Sequence, residues 1–259
     1  MKKGLLSMAA VAALVGTPAL AADMALKAPP PPPAPIWSGW YFGANGGGGW
    51  ENATWTFPTV QFFATAAGQS FSTNPNGGIA GGQFGYNYQF GHWVVGGEFM
   101  GDWSGLSQKV VGPVPAFPFD SYTTKLSDLE SLTLRFGYAP ANWLVYGKAG
   151  IATGGVNLSA ISGVPVAGVA FSNTQRQWGP TVGVGLEFLW TPHFVVGVEY
   201  DFTVLGGESV NTTATCTAAA LCGATTAPVA INSGAFNIST LTGRVSYKFD
   251  WAPISIAAR

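Results

Sequence analysis

The stretch AGGQFGYNYQF, residues 80–90, decides the fold. Its polar and apolar residues alternate, as expected for a β-strand, whose successive side chains point to opposite faces. One face carries Ala80, Phe84, Tyr86, Tyr88 and Phe90, and the other carries Gln83, Asn87 and Gln89. Gly91-His92 follows as a short turn, and the alternation resumes at Trp93. The sequence therefore predicts a β-hairpin with one apolar and one polar face.

The same pattern recurs along the chain and predicts an all-β membrane protein. Alternating segments flank two further short connections, residues 139–142 and 191–193, and two more lie near the chain ends, at 40–50 and 241–249. A membrane strand needs roughly 9 to 11 residues, and bacterial single-chain barrels have an even number of strands. We therefore expect an eight-stranded antiparallel up-and-down transmembrane β-barrel with short periplasmic turns. Four long extracellular loops are expected near residues 51–76, 105–122, 154–175 and 206–235.

Aromatic residues at the strand ends are typical of the two membrane interfaces. The expected periplasmic girdle contains Tyr88, Phe90, Trp93, Tyr138, Trp143, Trp190 and Phe194. Trp50, Trp103 and Trp178 would mark the outer girdle.

The composition points to the same class. Charged residues make up 9 % of the chain, against about 25 % in a typical soluble domain. Beyond residue 21 no apolar run of about 18 residues could form a membrane helix. A barrel is the other structure that pairs all backbone groups in lipid. The formal net charge of −1 gives no indication of nucleic-acid binding. A soluble lipocalin-like carrier would need an apolar interior and a polar exterior, the opposite of the arrangement expected here.

The ends of the chain divide into separate segments. Lys2 and Lys3, the apolar residues 5–15 and Ala19-Leu20-Ala21 predict a cleaved signal peptide over residues 1–21. Residues 22–36 include APPPPPAPI and are expected to form a periplasmic spacer. The barrel is expected to span residues 37–249, followed by a C-terminal extension, residues 250–259. The signal peptide predicts export through the inner membrane, and together with the barrel it predicts an outer-membrane location for the mature protein.

Six charged residues are expected to form one layer inside the barrel, because they lie on the polar faces about three to five residues from the turns. These are Glu98, Arg135, Lys148, Glu187, Glu199 and Arg244. Unpaired charges there would be costly to desolvate, so a salt-bridge network that plugs the lumen is favoured. A charged constriction that selects ions is the alternative, although eight strands leave room mainly for side chains.

Other chemistry has little support in the sequence. Glu187 and Glu199 could act as an acid–base pair, but no nucleophile accompanies them, and both histidines, His92 and His193, fall in expected turns. We therefore expect neither an enzyme nor a cofactor. Cys216 and Cys222 have a spacing that suits a disulfide within the last loop, whereas two cysteines alone are a poor metal site.

Three motifs carry a family resemblance. GGIAGGQFGYNY at residues 77–88, TVGVGLEF at 181–188 continuing to Val198-Glu199-Tyr200, and GWYFG at 39–43 resemble the alphaproteobacterial Omp25/Omp31-type barrels. The resemblance implies a small OmpA-like surface barrel that supports envelope integrity and meets its surroundings through its loops. Some members are tethered to peptidoglycan through an Ala-Asp start, here Ala22-Asp23. Relatives usually end on the last strand's aromatic residue, whereas residues 250–259 follow Phe249 here.

Together these features predict a structural and interaction protein of the outer membrane. The alternative is a small porin for passive diffusion of solutes or ions. Expected partners are outer-membrane lipid and lipopolysaccharide, peptidoglycan through the N-terminus, and unidentified extracellular partners that meet the loops.

Overall fold

The computed structural model describes residues 36–59, 66–115, 118–163, 169–207, 209–216 and 226–249. The predicted signal peptide, nearly all of the spacer and the C-terminal extension lie outside the described residues.

The described chain consists of antiparallel strands joined by turns and short connections. Twelve strands follow one another along the sequence. They are β1 (Gly39–Phe57), β2 (Gln69–Thr73), β3 (Asn76–Phe90), β4 (Trp93–Ser104), β5 (Ser107–Val111), β6 (Ser121–Tyr138), β7 (Trp143–Ile161), β8 (Val169–Leu189), β9 (Phe194–Leu205), β10 (Ser209–Cys216), β11 (Thr226–Ser233) and β12 (Phe236–Lys248). Within these residues no helix is long and apolar enough to cross a membrane.

Eight of the strands pair in a circuit that returns to its starting point. The order is β1, β3, β4, β6, β7, β8, β9, β12 and β1 again. Strand β1 therefore has a partner on both sides, with Asn45 opposite Gly81 of β3 and Arg244 of β12. The predicted hairpin turn at Gly91-His92 is present, and Gly91 adopts a φ of 62°, which glycine tolerates without steric cost. The all-β barrel fold is confirmed.

The prediction of eight strands and four long loops is wrong in its count. Strands β2, β5, β10 and β11 lie within segments that were predicted as loops, and β7 and β8 continue through most of the 154–175 segment. The additional strands pair with one another and with the outer ends of β1, β6 and β8. Trp50, Trp103 and Trp178 mark the outer girdle. We call the four additional strands, together with the parts of β1, β6, β7 and β8 that lie on the far side of this girdle from the periplasmic turns, the outer extension.

The apolar face of the strands reverses where the chain leaves the membrane. Within the membrane-spanning part the outward side chains are apolar and the inward ones polar, so that Leu134 is 76 % exposed and its neighbour Arg135 only 3 %. In the outer extension the pattern is the opposite: Trp55 and Phe57 of β1 are buried, whereas Asn52 and Thr54 face outward. This reversal is expected where the solvent changes from lipid to water. It explains the failed loop prediction, because the apolar residues form an ordered core beneath paired strands.

The aromatic side chains predicted for the two girdles face outward and are exposed. Some of them stack across neighbouring strands, for example Trp93 of β4 on Phe136 of β6, whose ring centroids are 5.1 Å apart. The two girdles bound the membrane-spanning part of the barrel.

Candidate functional site

The interior of the membrane-spanning part contains a layer of charge. The inward positions of six different strands supply it, and each charged residue faces a glycine across one strand pairing. The pairs are Glu98 with Gly85, Arg135 with Gly96, Lys148 with Gly183, Glu187 with Gly197, Glu199 with Gly185, and Arg244 with Gly197. The missing side chains leave room for long charged ones to extend across the narrow lumen.

All six predicted charges are buried, and each lies within ion-pair distance of at least one other. Arg244 contacts Glu98 and Glu199, and its Nε lies 3.3 Å from Glu187 Oε1. Arg135 contacts two of the same carboxylates, with Nη2 2.7 Å from Glu187 Oε1 and Nη1 3.3 Å from Glu98 Oε2.

Lys148 completes the layer. Its Nζ lies 2.6 Å from Glu199 Oε1 and 3.6 Å from Glu98 Oε1. The structure thus brings together the residues that the sequence placed at one depth. Some of the contacts, such as Arg244–Glu98 and Lys148–Glu98, join strands that are not neighbours in the barrel wall.

The layer also includes three residues that sequence reasoning missed. The Tyr41 hydroxyl donates to Glu98 Oε2 at 2.8 Å and accepts from Arg135 Nη1 at 2.6 Å. The Tyr146 hydroxyl donates to Glu199 Oε2 at 2.5 Å, and its ring lies 3.8 Å from the guanidinium carbon of Arg135. Asp201 forms an ion pair with Lys148, whose Nζ lies 3.1 Å from Asp201 Oδ1. Asp201 lies two residues from Glu199, so the period of two could have identified it.

The arrangement joins the walls of the barrel and fills its centre. Four carboxylates surround three cations, and every cation contacts acids from at least two strands. Arginine suits this role because its planar guanidinium can donate in several directions at once. Glu187 and Glu199, considered above as an acid–base pair, are each held by cations.

Apolar layers lie on both sides of the charge layer. At the periplasmic end Trp37 is 1 % exposed; its backbone N–H donates to Gln89 Oε1 at 2.9 Å and its indole N–H to the Ala141 carbonyl at 3.0 Å. Trp37 packs in a cluster with Val94, Ala139, Leu144, Tyr146, Leu189 and Val195. In the outer extension a larger cluster includes Trp55, Phe57, Leu106, Tyr122 and Leu126, all nearly inaccessible to solvent.

Glycine at position 185 is expected to be required for this packing. A Cβ there would lie 2.2 Å from Cζ of Tyr146, so the Gly185→Ala variant must displace a side chain that contacts Arg135, Glu199 and Arg244. Overpacking of this kind costs about 1 to 3 kcal/mol, and we expect a lower unfolding temperature. Gly147→Ala is the matched control, because its Cβ would meet no atom closer than 3.9 Å. Equal melting curves for the two variants would contradict the packing described here.

Two other predicted sites lie wholly or partly outside the described residues. Cys216 ends β10, but Cys222 and Ala22 are not among the described residues. The disulfide and the peptidoglycan tether therefore remain predictions.

An antiparallel barrel with lipid-facing apolar residues, two aromatic girdles and a charged interior is an outer-membrane β-barrel protein. The chain belongs to the family described as outer membrane protein beta-barrel domain, whose family model matches residues 7–249. It is therefore a protein of the bacterial outer membrane.

Curated relatives support the family resemblance. The chain is 29 % identical over 215 residues to the 31 kDa outer-membrane immunogenic protein of Brucella melitensis, covering 78 % of this chain and 88 % of the relative. The protein of the same name from Brucella suis matches equally well. The resemblance to the Omp25/Omp31 type is confirmed.

Solved structures of outer-membrane proteins are also similar. Ail, the attachment invasion locus protein of Yersinia pestis, is 15 % identical, with a TM-score of 0.37 and coverage of 82 % of this chain and 99 % of that one. OprG from Pseudomonas aeruginosa is 14 % identical, with a TM-score of 0.39 and coverage of 83 % and 97 %.

Proposed function

We propose that this protein is a non-conducting structural barrel that anchors an ordered extracellular surface in the outer membrane and supports the envelope. The observation that carries the proposal is the charge layer, in which Arg244 binds Glu98 and Glu187 and Arg135 binds Glu187, all of them contacts between strands that are not paired with each other. No step of enzymatic chemistry is part of this function.

Ion conduction would require the charge layer to open. A permeating ion would have to separate contacts such as that between Arg135 and Glu187, and removing one partner of a buried pair leaves an uncompensated charge. The ion would then meet two apolar layers, which contain Trp37 at one end and Trp55 and Phe57 at the other. Three successive barriers favour the structural role over the porin role.

The outer extension is suited to presentation of a surface. Its strands are paired and its interior is apolar, so the outward side chains are held in fixed positions rather than on flexible loops. Binding residues held on a rigid scaffold lose less conformational entropy when a partner binds. The curated Brucella relatives are named as immunogenic, and we propose that this chain likewise exposes its extension to the exterior.

Single-channel recording tests the structural role. We expect the refolded protein to produce no steady openings in planar bilayers, because the lumen is blocked at three levels. A known porin in the same planar bilayers serves as the positive control, and resistance of the barrel to added protease in vesicles of the same lipid shows that the protein inserts. Steady, ion-selective openings of the inserted protein would overturn this proposal and support the small porin.

A further inference from the structure

The outward-facing cations of the described chain lie in one sector of the outer extension. Lys109 of β5, Lys125 of β6 and Arg176 of β8 all face outward and are exposed. The other cations of the described chain lie elsewhere: Arg135, Lys148 and Arg244 fill the lumen, and Lys248 ends β12. The outward cations are thus gathered above one part of the barrel wall.

Lys109 and Lys125 are neighbours that repel each other. Ser107 lies opposite Lys125 and Lys109 lies opposite Thr123, which makes the two lysines diagonal partners on adjacent strands. Diagonal positions on one face are roughly 7 to 8 Å apart, within reach of long side chains. Neither lysine forms an ion pair with a carboxylate among the residues that the structure describes. An anion held between the two ammonium groups would relieve this repulsion.

Arg176 differs, because carboxylates hold it in place. Its Nη2 lies 2.5 Å from Asp128 Oδ2 and its Nη1 lies 2.8 Å from Glu130 Oε2. These two acids would repel a phosphate at their own level. An anion is therefore expected at Lys109 and Lys125, further from the membrane, with the Arg176 cluster between it and the lipid.

An apolar groove lies directly beneath this cluster. Its walls include Phe99, Leu132, Ile151 and Trp178, all exposed on the lipid-facing side of β4, β6, β7 and β8. Glu130 belongs both to the upper end of the groove and to the Arg176 cluster. The position of Trp178 places the top of the groove at the outer membrane interface. The cationic pair and the groove therefore share one sector, with the pair on the water side of Trp178 and the groove on its lipid side.

We infer that this sector binds a phosphorylated, acylated glycolipid of the outer leaflet, with a phosphate between Lys109 and Lys125 and an acyl chain in the groove. Each part of the ligand matches a separate feature of the surface. A soluble polyanion would use the lysines and leave the groove empty, whereas an uncharged lipid would use the groove alone. The inference depends on the membrane location and not on whether the lumen conducts.

The test compares two lipids and two variants. Native mass spectrometry of the refolded protein in detergent measures binding of lipid A that carries both phosphates and of the same lipid after dephosphorylation. The Lys109→Gln/Lys125→Gln double variant changes two exposed side chains, so folding should be unaffected. We expect it to bind the phosphorylated lipid at least tenfold more weakly than the unchanged protein, and the dephosphorylated lipid equally well.

A matched control carries the same change in net charge elsewhere. Asn52→Asp with Thr54→Asp also lowers the charge by two, at exposed positions of β1, which lies across the circuit of strands from β7. We expect this variant to bind phosphorylated lipid A as the unchanged protein does. The inference is overturned if the lysine variant keeps full affinity or if the control loses as much. It is also overturned if soluble polyphosphate displaces the lipid as well as phosphorylated lipid A itself does.

Discussion

Replacing Arg244 with glutamine is expected to lower the free energy of unfolding by about 3 to 5 kcal/mol. Arg244 contacts Glu98, Glu187 and Glu199, and all of these side chains are almost completely buried. Glutamine can donate hydrogen bonds but brings no positive charge, so the four buried carboxylates of the layer would share its two remaining cations. Urea unfolding of the refolded protein in lipid vesicles, followed by tryptophan fluorescence, measures the change.

Arg176→Gln is the matched control, because it removes the same group from a pair of carboxylates at the surface. The Arg176 side chain is 45 % exposed, and its partners Asp128 and Glu130 are also accessible to water. Exposed ion pairs contribute about 0 to 1 kcal/mol, since water screens them and their side chains lose freedom when they pair. A loss for Arg244→Gln no larger than that for Arg176→Gln would mean that the charge layer does not stabilise the barrel.

The membrane-spanning part could be predicted from the sequence because apolar and polar residues alternate in its strands and the apolar ones always face the lipid. From Phe84 to Phe90 every second residue is aromatic, and the intervening positions are polar or glycine. A lipid-facing strand that reversed these faces would put Gln83 or Asn87 into hydrocarbon. Register is therefore strongly determined there, and the turn at Gly91-His92 was predicted at its observed position.

The outer extension was missed although its sequence carries the same period. Residues 52–57 read NATWTF, in which Ala53, Trp55 and Phe57 alternate with Asn52, Thr54 and Thr56. The apolar positions simply continue on the inward face of β1, where polar residues stand in the membrane-spanning part. An alternation search that assumes apolar residues face outward ends the strand at Trp50. Allowing the faces to exchange at the outer girdle would have extended it.

The charge layer was predictable in its members but not in its contacts. A period of two shows which side chains point inward, and nearness to the turns gives their depth. It does not show which strands face each other across the lumen, because that depends on the order and tilt of all eight. The hydrogen bond from Tyr41 of β1 to Glu98 of β4 is of this kind, since β3 lies between the two strands.

Glu51 stands apart from the paired charges. It follows Trp50 at the start of the outer extension, is 1 % exposed, and neither carboxylate oxygen has a hydrogen-bond partner among the described residues. Its neighbour across the β1–β12 pairing is Ile238, a member of the apolar core. Burial alone raises the pKa of Glu51 to about 7, because the charged form would lose its water without gaining a cation.

The protein should therefore gain stability at alkaline pH when Glu51 is replaced by glutamine. Below the ordinary glutamate pKa the side chain is protonated in both the folded and the unfolded protein, and its ionisation costs no stability. From about pH 4.5 upward the unfolded chain loses this proton while the native protein keeps it up to about pH 7, so the loss of stability grows over that interval and is constant above it. A rise in pKa from 4.5 to about 7 corresponds to roughly 3 kcal/mol. We expect Glu51→Gln to raise the free energy of unfolding by about that amount at pH 9 and hardly at all at pH 4, measured by urea unfolding in vesicles. Glu130→Gln is the control, because this carboxylate is partly exposed and ion-paired, and it should show no such gain. If Glu51→Gln raised the free energy of unfolding equally at both pH values, packing rather than ionisation would be responsible.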